Sequence, residues 1–121
     1  MQNPFRWLAP HQLKTTQKIV NTIATLSKSE DFNFALLAKT NYEPGYLYYF
    51  YENKLPYYTL NQKITQQLFV VCEPHKDINC NPINNAEWGI AAFGWAKIDQ
   101  ELEIGNIKVY KLTPNPSGQK Q

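Results

Sequence analysis

The sequence predicts an α/β fold: a small sheet with parallel core strands, covering helices in a three-layer-like arrangement, and a C-terminal hairpin. Two short apolar runs, at residues 32–38 and 67–72, have the length and composition of strands buried on both faces. A helical pattern precedes each run, and the order helix, strand, helix, strand is typical of a crossover between parallel neighbours. A Gly105-Asn106 pair between two later apolar segments predicts the hairpin.

The first element is an amphipathic helix over residues 11–28. Pro10 suits its first turn, and apolar or small side chains recur at three- and four-residue steps. These side chains are Leu13, Thr16, Val20, Ile23, Ala24 and Ser27. The polar cluster at residues 27–31 ends the helix, and the first buried strand follows it.

A second helix covers residues 46–53, since Asn41 and Pro44 mark its start and Pro56 stops it. The side chains on one line of this helix are Leu47, Phe50, Tyr51 and Lys54. Residues 57–60 are a candidate for a short edge strand. The second buried strand, at 67–72, is rich in β-branched residues.

The C-terminal third begins with a loop over residues 73–85, after which Asn85 caps a short helix through 87–93. A strand then places apolar side chains on one side: Ala96, Ile98, Leu102 and Ile104. Residues 107–112 form its hairpin partner. We therefore predict a single α/β domain over residues 1–113 and a disordered tail over 114–121.

Composition excludes several classes of function. The net charge of +2 is too small to predict nucleic-acid binding, so no nucleic-acid partner is expected. The scattered glycines form no phosphate-binding loop, and no cofactor is predicted. No run approaches the roughly 20 apolar residues that span a bilayer. Residues 1–10 lack the apolar core of a secretory signal, so either the protein is cytosolic or an upstream part carries it across.

Two cysteines, Cys72 and Cys80, permit a local disulfide without demanding one. Zinc is an alternative, because His75 lies between them, but a structural site needs a fourth ligand. The candidates for that ligand are Glu73, Asp77 and the distant His11. Two unpaired thiols are the third possibility, and no metal is predicted.

Catalytic residues are hard to find in this chain. Cys72 with His75 is the one pair that could act as nucleophile and base, and neither histidine lies near a recognisable serine or cysteine signature. Asp99, Glu101 and Glu103 alternate along a predicted strand, which indicates a solvated face rather than an acid–base pair. No catalytic residue is therefore assigned.

Tyrosines at residues 46–51 and 57–58 form the best candidate for a binding surface. More rings occur here than one helical face can bury, and an exposed tyrosine can contact a sugar, a partner or lipid headgroups. The alternative is a helix packed on the sheet with its hydroxyl groups pointing outward. The candidate binding residues are Tyr46, Tyr48, Tyr49, Tyr57 and Tyr58.

Several segments resemble those of one known family. They are Val71-Cys72-Glu73 at the end of a strand, Cys80-Asn81-Pro82, Ile90-Ala91-Ala92-Phe93-Gly94 and the closing strand at 107–112. Together with residues 33–38 and 46–50, they resemble the soluble C-terminal region of bacterial dolichyl-phosphate-mannose protein mannosyltransferase-like membrane enzymes, glycosyltransferase family 39. The resemblance spans most of residues 14–112, and the insert at 74–79 between the cysteines departs from the family pattern.

The resemblance implies an extracytoplasmic location at the cell membrane, where a bridge between Cys72 and Cys80 is chemically reasonable. The acidic catalytic residues of that family lie in the membrane part, so none is carried over to this chain. The implied function is a non-catalytic accessory domain of a glycosyltransferase that uses a polyprenyl-phosphate sugar donor. Its implied partners are the transmembrane catalytic part and a glycan or the membrane surface.

Two other functions stay open from the sequence. One is a stand-alone carbohydrate- or protein-binding module that uses the tyrosine-rich surface. The other is a small cytosolic enzyme that uses Cys72 and His75.

Overall fold

The structure is a computed structural model, which describes residues 10–38, 43–76, 78, 80–83 and 88–115. Across these ranges the chain forms three helices and a four-stranded sheet. The elements are α1 (Pro10–Ser27), β1 (Asn33–Leu37), α2 (Glu43–Glu52), β2 (Leu68–Cys72), α3 (Trp88–Phe93), β3 (Ala96–Ile104) and β4 (Ile107–Pro114). The order of elements along the chain agrees with the order predicted from the sequence.

The sheet is mixed, with strand order β1-β2-β4-β3. The two buried strands β1 and β2 are parallel, whereas β4 runs antiparallel to both β2 and β3. Gly105 has a φ of 62° in the turn between β3 and β4, a conformation that glycine adopts without strain. The predicted α/β class, parallel core strands and C-terminal hairpin are confirmed.

Apolar layers cover both faces of the sheet. On one face, α1 and α2 pack against the sheet in a cluster of ten buried side chains from both layers. They are Ile19, Val20, Ile23, Phe32, Phe34, Tyr46, Phe50, Phe69, Val71 and Val109. The other face lies under α3 and the loop before it, which contributes Ile83 to a second buried cluster. Strand β2 is buried along its whole length because alternate side chains enter the two clusters. The core is therefore a three-layer arrangement built around β2.

Helix α2 buries one face against the sheet. Tyr46 and Phe50, one helical turn apart, are each 1% exposed, and Leu47 and Tyr49 are partly buried beside them. Tyr51, predicted on the same line as Phe50, is 73% exposed. The rings of Phe32 and Phe34 meet the helix at positions 46 and 50, as the 5.2 Å centroid distances Phe34–Tyr46 and Phe32–Phe50 show. Lys54, the remaining residue on the predicted line, is exposed.

Strand β3 does not place its apolar side chains on one side. The register shifts between Ile98 and Gln100, so that Ile98 lies opposite Leu112 and Leu102 lies opposite Val109. Leu112 and Val109 belong to clusters on opposite faces of the sheet. The one-sided alternation was therefore wrong, and a β-bulge is the physical reason.

Three smaller predictions concern the C-terminal boundary, the cap of the third helix and the edge strand. Strand β4 continues to Pro114, and the backbone N–H of Asn115 donates to the carbonyl of Trp95, while the division into domain and tail stays a prediction. Residues 116–121 of the predicted tail, and the predicted cap Asn85, lie outside the described residues. The edge strand at 57–60 reduces to one isolated parallel bridge between Phe32 and Tyr57.

Candidate functional site

A cleft of about 370 Å³ lies near the amino ends of the parallel strands β1 and β2. One wall is the turn between α1 and β1, and the other is the segment that leads into β2. The cleft is lined by Glu30, Asp31, Lys63, Ile64, Thr65 and Gln66. Its volume falls at the lower end of the roughly 300–1,000 Å³ range of small-ligand sites.

The buried side chain of Asn33 holds the wall formed by residues 58–65. Its Nδ2 donates to the carbonyls of Tyr58 and Lys63, both at 2.8 Å. Its Oδ1 accepts hydrogen bonds from the backbone N–H of Thr65 at 2.8 Å and from the Thr65 hydroxyl at 2.9 Å. The side-chain amide of Asn33, at the start of β1, therefore fixes the backbone conformation of residues 58–65. Both its N–H groups and its oxygen take part in hydrogen bonds.

The buried side chain of Gln67 holds the opposite wall. Its Nε2 lies 3.1 Å from the carbonyls of Ser27 and Glu30 and 3.2 Å from that of Asp31. The Thr65 hydroxyl oxygen also lies 2.7 Å from the carbonyl oxygen of Gln67, so its single proton is shared between this carbonyl and Asn33 Oδ1, which links the two networks. Both walls of the cleft are thus tied to the first residues of the sheet, as a preorganised site requires.

The side chains that face the cleft combine charge with apolar surface. The Lys63 ammonium pairs with the Asp31 carboxylate and lies 5.2 Å from the centre of the Tyr58 ring. The hydrogen bond and the charge of Asp31 raise the pKa of Lys63 above its ordinary value. Ile64 is 55% exposed and adds apolar surface beside the charged pair. Donors, acceptors and an apolar surface therefore meet in one small space.

The structure divides the predicted tyrosine surface. Tyr46 is buried and belongs to the core, and its assignment as a binding residue stays a prediction. Tyr57 is partly buried against the rings of Phe32 and Phe50, at centroid distances of 5.9 and 5.3 Å. Tyr58 supports Lys63 at the cleft. The five tyrosines therefore do not form one continuous face.

Tyr48 and Tyr49 form a separate pair on α2. Their ring centroids lie 5.7 Å apart in an edge-to-face arrangement, and both side chains are partly buried. Burial is the largest cause that raises the pKa of Tyr49, and the electrostatic interaction with the neighbouring Tyr48 is the second. A binding role for this pair and for Tyr58 stays a prediction.

The two cysteines form a disulfide, with Cα atoms 5.7 Å apart. This pairing consumes both thiols, so the zinc site built on Cys72, His75 and Cys80 and the Cys72 nucleophile were wrong alternatives. Across the described ranges, no three His, Cys, Asp or Glu side chains come together in a way that could hold a metal ion. The bridge joins the end of β2 to the loop that covers the sheet.

Glu73 lies at the opposite end of β2 from the cleft. Its backbone N–H donates to the carbonyl of Leu37 at 2.8 Å, which continues the pairing of β1 with β2 by one residue. Burial raises the pKa of its carboxyl group to about 6. Carboxyl ends of parallel strands commonly border binding sites, but much of this edge lies outside the described residues.

Sequence reasoning missed the residues of the cleft. Asn33 and Gln67 were included in the apolar strand runs, although a buried amide at the head of each strand was a visible signal. Asp31 and Lys63 are 32 positions apart, and no local pattern predicts that they meet. The cleft therefore emerges only from the parallel pairing of β1 and β2.

Comparisons with protein-family models, with curated proteins and with solved structures find no match to this chain. Among the helices in the described part of the chain, none has the length and apolar character needed to cross a bilayer.

Proposed function

We propose that this chain is a non-catalytic, extracytoplasmic accessory domain of a membrane glycosyltransferase that uses a polyprenyl-phosphate sugar donor. The observation that carries the proposal is the Cys72–Cys80 disulfide. Disulfides persist in oxidising compartments and are rare in the cytosol, where thiols are kept reduced. The resemblance of residues 14–112 to the soluble region of family 39 enzymes supports the same location.

The position of the bridge supports a structural role in such a compartment. Cys72 is fully buried at the end of β2, and Cys80 is partly buried against the same cluster. The partly buried Ile78 belongs to the same loop and packs on that cluster. A bridge here stabilises the covering layer of the sheet, which suits a domain that works outside the cell without redox chemistry of its own.

The proposed partner is the transmembrane catalytic part of the enzyme, and the domain would contact an acceptor glycan or the membrane surface beside it. In this arrangement the catalytic residues belong to the membrane part, and this chain shapes the access of the acceptor. A reading frame that continues upstream into hydrophobic helices would support the proposal directly.

The compartment is tested by thiol alkylation in intact cells of the native organism, followed by mass spectrometry of this chain. We expect Cys72 and Cys80 to resist alkylation until a reductant is added, since both sulfur atoms are bonded. Alkylation of both cysteines without reductant would contradict an extracytoplasmic location.

The non-catalytic role is tested with the purified chain, a polyprenyl-phosphate-linked mannose donor and a peptide acceptor. We expect no transfer by the chain alone. Transfer above that of a heat-denatured control would show that the chain has catalytic residues of its own.

A stand-alone binding module is the second candidate function, and the preorganised cleft beside Tyr58 favours it. A variant with Tyr48, Tyr49 and Tyr58 replaced by alanine should lose binding on a glycan array if the tyrosines form the binding surface. Equal binding by this variant and the wild type would contradict that role.

A further inference from the structure

We infer that the cleft at the amino ends of β1 and β2 is a binding site for a neutral sugar, contacted by Asp31, Lys63, Ile64 and Gln66. This inference rests on the proposed accessory function, because that function places the chain beside a glycan. It adds the site and the class of ligand. Its physical support comes from the charge, shape and rigidity of the cleft.

The charge of the cleft favours a neutral ligand. The Lys63 ammonium is already neutralised by Asp31, and Glu30 adds a carboxylate that forms no ion pair with any described residue. The lining is therefore slightly negative, which disfavours phosphate and carboxylate ligands. The nearby ammonium disfavours cations in the same way. A ligand that carries hydroxyl groups instead of charge meets neither penalty.

Hydroxyl groups also match the hydrogen-bonding side chains. The carboxylates of Glu30 and Asp31 accept from hydroxyl groups, the Lys63 ammonium donates to them, and the Gln66 amide does both. Each sugar hydroxyl both donates and accepts, so adjacent hydroxyls can satisfy a carboxylate and an ammonium side by side. Hydrogen bonds to charged groups are stronger than those between neutral groups.

Ile64 supplies the apolar contact that a sugar ring needs. Its side chain is 55% exposed within the cleft lining, and burial of this surface by the C–H face of a ring would be favourable. A volume of about 370 Å³ accommodates a mono- or disaccharide.

Rigidity distinguishes this cleft from an ordinary surface depression. Asn33 and Gln67 are buried and hydrogen-bonded to both walls, so the lining backbone is ordered before any ligand arrives. Preorganisation lowers the entropy lost on binding, which matters most for a weak ligand such as a single sugar.

The test is a titration of the ¹⁵N-labelled full chain with D-mannose, D-glucose or N-acetylglucosamine, followed by two-dimensional NMR. We expect at least one sugar to give saturable shifts in the amide signals of Glu30, Asp31 and residues 63–66, with a dissociation constant in the millimolar range. The same spectra report whether each variant is folded. No saturable shift with any of the three sugars would overturn the inference.

Two variants locate the site. Asp31→Asn removes a charged acceptor and Ile64→Ala removes the apolar contact, and each should weaken binding about tenfold. The matched controls Asp99→Asn and Ile98→Ala make the same chemical changes on β3, away from the cleft, and should bind as the wild type does. Unchanged affinity in both cleft variants, or shifts centred on another surface, would overturn the inference.

Failure here is distinguishable from failure of the proposed function. Sugar binding is read from the isolated chain, whereas the compartment is read from thiol alkylation in native cells. A chain that binds no sugar while its cysteines resist alkylation would remove only the cleft as a sugar site.

Discussion

Asn33 is the single residue on which the cleft most depends. Its amide accounts for four hydrogen bonds to three residues of the facing segment. In Asn33→Ala, the Thr65 N–H and the carbonyls of Tyr58 and Lys63 lose these partners. We expect the free energy of unfolding to fall by about 2–4 kcal/mol, measured by urea denaturation.

Asn53→Ala is the matched control for this change. Asn53 also donates its side-chain amide to a carbonyl, that of Tyr49 at 2.9 Å, but this bond is exposed to solvent. Water replaces the lost partner there, so the expected change is within about 0.5 kcal/mol. Equal losses in the two variants would contradict the importance of burial at Asn33.

Glu73 makes the stability of the fold depend on pH. Burial raises the pKa of its carboxyl group from an ordinary 4.5 to about 6, so the folded state favours the protonated form. This contribution to stability is fully present below pH 4.5 and is lost as the pH rises through 6. The shift corresponds to about 2 kcal/mol, reduced to about 1 kcal/mol because the side chain is partly exposed to solvent.

Glu73→Gln removes this titration while keeping the size of the side chain. We expect the variant to be more stable than the wild type by about 1 kcal/mol at about pH 7.5 and equal to it at about pH 4. Urea denaturation at the two pH values measures the difference, and Glu52→Gln, on the exposed end of α2, is the control. A constant offset between Glu73→Gln and the wild type would rule out titration of Glu73 as the cause.

The fate of individual tyrosines could be predicted only in part. Composition correctly shows that one helix face cannot bury all the rings, since Tyr51 is exposed while Tyr46 is buried. Which ring enters the core depends on Phe34 in β1 and on Phe32 just before it, and these residues meet the helix only in the folded chain. Because tertiary contacts decide which ring is buried, a local sequence pattern does not predict it.

At the scale of elements, the buried face of α2 determines how much a substitution at each of two adjacent positions lowers the free energy of unfolding. Phe50→Ala should lower the free energy of unfolding by about 3–5 kcal/mol, because its ring packs against Phe32, Phe34 and Tyr57. Tyr51→Ala should change it by less than about 0.5 kcal/mol. Urea denaturation compares the two, and a larger loss for Tyr51→Ala would contradict the packing of α2 through Phe50.

The bulge in β3 carries a side-chain contact with β4 that the sequence pattern does not reveal. Asp99 at the bulge lies 3.8 Å from the ammonium of Lys111, which is largely buried and donates to the carbonyl of Leu26 at 3.0 Å. A cation at the last turn of α1 is favourable because carbonyl groups there lack helical partners. The apolar spacing predicts a strand at this position, but the bulge depends on a contact across the sheet and onto α1.

For the molecule as a whole, the sequence is sufficient to predict the layers but not the cleft. The apolar runs of β1 and β2 identify two strands covered on both faces, because such strands lack the usual polar alternation. The cleft needs two further conditions, namely the parallel register of these strands and a hydrogen-bonded amide at the head of each. Both conditions join residues thirty or more positions apart, so they follow from the fold and not from any segment.

The disulfide acts on the whole molecule by attaching the covering loop to the central strand. Cys72 and Cys80 are eight positions apart, and closing so short a loop in the unfolded chain stabilises the folded state by about 2.5 kcal/mol. The double variant Cys72→Ala and Cys80→Ala should therefore lose about 2–3 kcal/mol in urea denaturation. Wild type with reductant should show a similar loss, whereas the double variant should not respond to reductant. If reductant leaves the wild type unchanged while its thiols become available for alkylation, the bridge does not stabilise the fold, and its role would be limited to the local geometry of the loop.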